Sequence, residues 1–204
     1  MSYSRLKLHD LKSVFGVTRR FQDNLFQQVP ARPVSDLLRQ VLAANIKFAL
    51  DQGTEKARSE FIIAPVMSEL RRQAEERISI FSGIEFNVDK KRGLAGWCDF
   101  LVSRSSYQAD LEAPVVVAVE AKQQDFEGGT TQCMAEMVAA RIFNEREGNN
   151  FPNIYGCVTS GDIWRFVALR GDVTLVETNS YNISEDLERI LGILWAMAFD
   201  EVPQ

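Results

Sequence analysis

Apolar residues recur along this chain with two periods, and the changeover falls near residue 78. Before it the spacing is helical. A first stretch covers Leu8–Phe15, and Pro30 and Pro33 then interrupt the chain, leaving 1–33 without a fuller assignment. Ser35 and Asp36 form an N-cap region for a helix over 36–49, with Leu37, Leu38, Val41, Leu42 and Ile46 as its apolar stripe. The sequence DQGT ends it, and Thr54 starts a second helix to about residue 77, with Pro65 as a kink or restart. Beyond residue 78 the pattern becomes that of strands. Residues 84–88 form one, DKKRG turns the chain, and 94–103 form the next, followed by the polar stretch RSSYQADLEAP. VVVAVEAK, residues 115–122, is nearly continuously apolar and β-branched, as a central strand covered on both faces should be. The loop DFEGGT leads into a helix over 131–145, with Gly128, Gly129 and Thr130 ahead of it. Strand-like runs at 154–159, 163–169 and 173–177 follow, and a helix over 183–199 closes the chain through Leu187, Ile190, Leu191 and Leu194. This order predicts a single α/β domain over 1–204, a mixed β-sheet flanked by helices on both faces, with 1–53 as a helical N-terminal extension.

Composition narrows the class. With 46% hydrophobic and 25% charged residues the chain can build a globular core. It has no apolar run of the roughly 18 residues that a membrane helix needs, and its first ten residues lack the apolar segment of a signal peptide. Cys98, Cys133 and Cys157 sit among apolar neighbours without zinc-site spacing, so they are expected to be buried and reduced, in a cytoplasmic protein. The net charge of −5 conceals an asymmetry: residues 1–92 hold 16 Lys and Arg against 11 Asp and Glu, and residues 93–204 hold 7 against 17. Acid therefore gathers in the half where a cation would bind. His9 is the only histidine, which argues against histidine-based chemistry.

The candidate chemistry lies on two strands. If 94–103 and 115–122 form an antiparallel hairpin whose loop centres near Ala109 and Asp110, paired residue numbers sum to 219, and Asp99 faces Glu120. Their Cβ atoms would then lie roughly 5 Å apart, and Lys122, two residues on, would share the face. Opposed carboxylates inside an apolar sheet are destabilising unless compensated. A hard divalent cation compensates them, and a lysine beside it can orient or deprotonate a water. Metal and ammonium together suit phosphoryl transfer. Against this stands a plain reading, with Glu120 paired to Lys122 and Asp99 capping a turn.

Asp99, then twenty residues, then Glu120-Ala121-Lys122 resembles the PD-(D/E)XK nuclease superfamily, which includes type II restriction enzymes and Holliday-junction resolvases. The order of elements over 54–170 agrees. GCVTSGDIWRFVAL is also similar to the segment after the nuclease motif in motor subunits of type I restriction enzymes, and TEKARSEFIIAP to the helix before it. Cys98 stands where the family's name-giving proline would be, and no helicase segment follows. The resemblance implies a restriction endonuclease-like fold and a Mg²⁺-dependent DNA endonuclease, with Mn²⁺ able to substitute. Asp99, Glu120 and the Ala121 carbonyl would hold the metal, and Lys122 would assist the attacking water. It further implies a carboxylate from the first core helix. Glu60, flanked by Ala57, Ile63, Ala64 and Met67, is chosen over Glu55, an ordinary first-turn acid. Gln132 would support the site or touch the phosphate backbone; the plain alternative makes Gln132 and Glu136 a solvent-facing pair. A phosphate at the free N–H groups after Gly128-Gly129-Thr130 competes with a simple turn, as do DNA contacts from Arg71, Arg72, Lys90, Lys91 and Arg92 with ordinary solvated charge. Trp164, Phe166 and Trp195 read as core. DNA is the expected partner, with a homodimer to cut both strands and no membrane. The rival function is an inactive nuclease-fold module that binds DNA or protein in a defence or repair complex; a third is a phosphodiesterase of small nucleotides.

Overall fold

The computed structural model describes residues 2–122 and 125–203. In chain order its main elements are α1 (Leu8–Phe15), β1 (Thr18–Gln22), α2 (Asp36–Gln52), α3 (Glu55–Arg58) and α4 (Ala64–Gln73), the last two joined by a π-helical turn over Ser59–Ile63. They continue as β2 (Ser79–Glu85), β3 (Trp97–Ser103), β4 (Val115–Ala121), α5 (Phe126–Arg146) and β5 (Asn153–Thr159). β6 (Ile163–Arg170), β7 (Val173–Glu177), β8 (Tyr181–Asn182) and α6 (Ile183–Phe199) complete the chain.

The strands form one mixed sheet in the order β1-β7-β6-β5-β4-β3-β2, with β8 added beside β6. β4 pairs parallel to β5 and antiparallel to β3, and all seven of its residues are buried. Its apolar run is thus explained by helices on both faces. One core lies under α2, the α3–α4 helix and α6, where Ile62, Ile63, Val66, Leu191 and Leu194 pack on Phe100, Val117, Val119 and Phe166. The other lies under α5 and the N-terminal segment, where Tyr3, Leu11, Met134, Met137 and Val138 pack on Cys98, Leu101 and Ala118. None of the described helices is long and apolar enough to cross a membrane. All three cysteines are free and buried. Trp164 and Phe166 are core residues, whereas Trp195 is partly buried and lies under the Arg32 guanidinium.

Helix starts follow their local chemistry. The Ser35 hydroxyl accepts from Leu38 N–H and the Thr54 hydroxyl from Ala57 N–H, each filling a free donor of the first turn. Pro65 acts one turn earlier than expected. It has no N–H for the Phe61 carbonyl, the backbone widens into the π turn, and Asn45 Nδ2 donates to that carbonyl at 3.5 Å.

Several expectations need correction. The helix from Thr54 stops at Gln73, because Glu75 and Glu76 turn the chain with φ of 50° and 64°. The strand expected over 84–88 runs instead over Ser79–Glu85, and the next begins at Trp97. Residues 1–53 are not wholly helical: β1 pairs parallel with β7 at one edge of the sheet. TRRFQ carries no alternation to show this, since an edge strand buries little. α5 begins at Phe126 rather than 131, so Gly128, Gly129 and Thr130 lie inside the helix. Asp125 caps that helix by accepting from Gly128 N–H at 2.8 Å, placing a carboxylate where a phosphate was considered.

Candidate active site

β3 and β4 pair as Phe100 with Val119, Leu101 with Ala118 and Val102 with Val117, each summing to 219, before a bulge shifts the register at Ser103. The same register carried one step further sets Asp99 opposite Glu120, and here the ladder opens. The Ala121 N–H donates to Asp99 Oδ2 at 2.7 Å, so a side chain takes the place of a strand carbonyl. The far end of β4 is held by β5, whose Thr159 carbonyl accepts from Lys122 N–H at 2.8 Å.

Glu120 is 1% exposed. Its Oε1 lies 2.6 Å from Lys122 Nζ, and its carboxyl also shares a side-chain hydrogen bond with that of Glu136. Burial, then the nearby Asp99 charge, push its pKa up to about 7, against the pull of Lys122. Burial also raises Asp99, the Ala121 N–H and Lys122 oppose this, and Glu55 adds to it. Lys122 is lifted above the ordinary lysine value: burial works against its charge, but Glu120, Glu55 and Asp99 together outweigh it. Its ammonium is therefore firmly protonated at neutral pH.

Glu136 is the residue that sequence reasoning undervalued. It is not half of a solvent-facing pair: it has no exposed surface and its carboxyl is hydrogen-bonded to that of Glu120. Burial first and the Glu120 charge second hold its pKa well above the carboxylate range. Gln132 Nε2 donates to Glu136 Oε1 at 3.2 Å, so Gln132 reaches the site through Glu136. The signal was the acid within CMAEMVAA, a segment apolar on every side of its helix.

A cleft of about 340 Å³ opens over the site, lined by Glu55, Ser59, Glu60, Ser82, Asp99 and Ala121 among others. Glu60 does not lie on an apolar face. Its side chain is 51% exposed and pairs with Lys56 at 2.6 Å, because the π turn breaks the helical period used to place it. Glu55 is the helix acid whose charge reaches Asp99 and Lys122. Arg58 Nη1 fixes that helix to the β5–β6 turn, donating to the Ser160 carbonyl at 2.8 Å and to Asp162 Oδ1 at 2.9 Å. Away from the cleft, Arg72 is engaged by Glu69 and Arg92 by Asp89. His9 is exposed.

Among the described residues no group of three or more His, Cys, Asp or Glu has ready-made metal-ligand geometry. The donors gathered here are of another kind: the Asp99 and Glu120 carboxylates and the Ala121 backbone carbonyl, hard oxygen ligands of the sort Mg²⁺ prefers. No protein-family model matches the chain, and no curated protein is significantly similar to it.

Proposed function

We propose that this protein is a Mg²⁺-dependent nuclease of the restriction endonuclease-like type that hydrolyses phosphodiester bonds of DNA. The observation that carries the reading is the meeting of two carboxylates, Glu120, 1% exposed, and the part-buried Asp99, whose Oδ2 accepts from the Ala121 N–H where β3 and β4 part. Two carboxylates side by side in a largely buried site repel each other, and a cation between them removes that cost. Asp99, Glu120 and the Ala121 carbonyl would hold Mg²⁺, with Mn²⁺ as a substitute and Glu55 acting through water. Bound there, the cation would supply Lewis-acid polarisation of the phosphate and of a water.

The chain's own groups define the rest. Lys122, its Nζ 2.6 Å from Glu120 Oε1, would orient the attacking water and meet charge on a non-bridging oxygen. Glu136 and Gln132 back Glu120 from α5 and keep water away from its inner side. A homodimer would supply a second site for the second strand.

One observation favours the rival reading of an inactive nuclease-fold module in a defence or repair complex. The Lys122–Glu120 pair already neutralises one carboxylate without any metal. Cleavage of plasmid, duplex, single-stranded and branched DNA and of RNA with Mg²⁺, Mn²⁺ or EDTA separates the two. Metal-dependent cutting that disappears in Asp99→Ala and Lys122→Ala is the expected result. Metal-dependent cutting unchanged in both variants would show these roles to be wrong. No cutting, and no rise in melting temperature with either metal, would favour the binding module. Preference for small nucleotides would mark a phosphodiesterase.

A further inference from the structure

Trp97 begins β3 two residues before Asp99 and is 67% exposed, a large aromatic surface left in water. The direction of its side chain follows from its neighbours. Cys98 and Ile84 are paired across β2 and β3, and both pack into the core beneath α5. The adjacent pair, Trp97 with Glu85, therefore projects from the other face; the alternation slips by one position at Gly83, with φ of 59°, opposite Asp99, which is why Phe100 packs in the core opposite to that of Cys98. That face carries the cleft: Ser82 lines it, and its partner Phe100 packs into the core beneath the α3–α4 helix. Between Trp97 and the cleft the floor is open, since a Cβ placed on Gly83 would meet nothing within 4 Å. Two strand residues separate Trp97 from Asp99, about 7 Å, comparable with one or two nucleotide steps. Further out, the hairpin exposes Lys90 and Lys91.

From this arrangement we infer that Trp97 is a stacking platform for an unpaired nucleobase one or two nucleotides from the phosphate held in the cleft. The inference rests on the nuclease reading and deepens it by naming the substrate class. A base inside a duplex has both faces covered by its neighbours, so stacking on Trp97 requires a single-stranded, frayed or branched substrate. The acid nearest the platform, Glu85, offers nothing to phosphate, so the indole contributes through the base and the hairpin lysines through the backbone.

The test is equilibrium binding of a labelled short oligothymidylate, with and without an abasic site stepped along it, in EDTA so that no cutting intervenes. Trp97→Ala should weaken binding roughly 5- to 150-fold, Trp97→Phe should retain most of it, and melting temperature should barely move because the side chain is exposed. One abasic position should weaken wild-type binding as much as Trp97→Ala does and cause no further loss in Trp97→Ala. Equal binding by wild type and Trp97→Ala, or losses that multiply when abasic site and substitution are combined, would overturn the inference while leaving the nuclease reading intact. If the wild-type chain binds and cuts no nucleic acid of any form, both fall together.

Discussion

Gly129 sits at the fourth position of α5, against the stem of Lys122. Alanine there should favour the helix by about 1 kcal/mol. Its Cβ, however, would lie 2.7 Å from Lys122 Cγ and 2.9 Å from Val158 Cγ1, well inside the roughly 3.5 Å at which carbon contacts become favourable. Overpacking of this kind costs about 1–3 kcal/mol. The net change is thus a loss of about 0–2 kcal/mol, a fall in melting temperature of no more than about 8 °C for a chain of this size. Val158 is fully buried and β-branched, whereas Lys122 is half-buried and flexible, so Lys122 gives way and its ammonium leaves Glu120. A displacement of about 1 Å at a reacting group costs on the order of 100-fold in rate. On the proposed function, Gly129→Ala should therefore resemble Lys122→Ala in cleavage assays yet remain folded in urea titrations, and adding Val158→Ala should restore part of the rate by reopening space. Full activity together with a stability gain of about 1 kcal/mol would refute the packing argument.

Two further predictions concern the frame around the site. Glu69 is buried and, although burial works to raise its pKa, bonds from Arg72, Gln73 and Ser35 hold it down at about 2 against 4.5 when unperturbed. Because the folded value is the lower one, its contribution, at most about 3 kcal/mol, is complete above about pH 4.5 and is lost as pH falls toward 2. Urea melts of wild type and Glu69→Gln should differ most at pH 6 and converge near pH 2–3; a constant gap would contradict the assignment. At Gly192 on α6 an added Cβ would stand 2.1 Å from the Pro30 carbonyl oxygen, so Gly192→Ala should destabilise by about 2 kcal/mol or more despite the helix preference for alanine. A melting temperature at or above wild type would show that the 30–31 backbone can move aside.

Much of the molecule was legible in the order of its residues. VVVAVEA could only be a strand covered on both faces, and the helix over Ile183–Phe199 could be bounded from its apolar spacing alone. The hairpin register followed from loop length and strand period, which together leave few ways to pair 94–103 with 115–122. Elements that bury little were not legible. β1 is a strand only because β7 offers its edge, and α5 starts early only because Asp125 caps glycines that by themselves favour a turn. The π turn before Pro65 frees the Phe61 carbonyl to Asn45 from another helix, and it moved Glu60 off the face that its spacing implied. Sequence alone thus determined which carboxylates share a hairpin, since that is a matter of local period. Tertiary packing decided which of them lose water, and that Glu136, from a helix on the opposite side of the sheet from Glu55, stands behind Glu120 and hydrogen-bonds its carboxyl. Desolvation is a property of what surrounds a group, and only the folded chain supplies the surroundings.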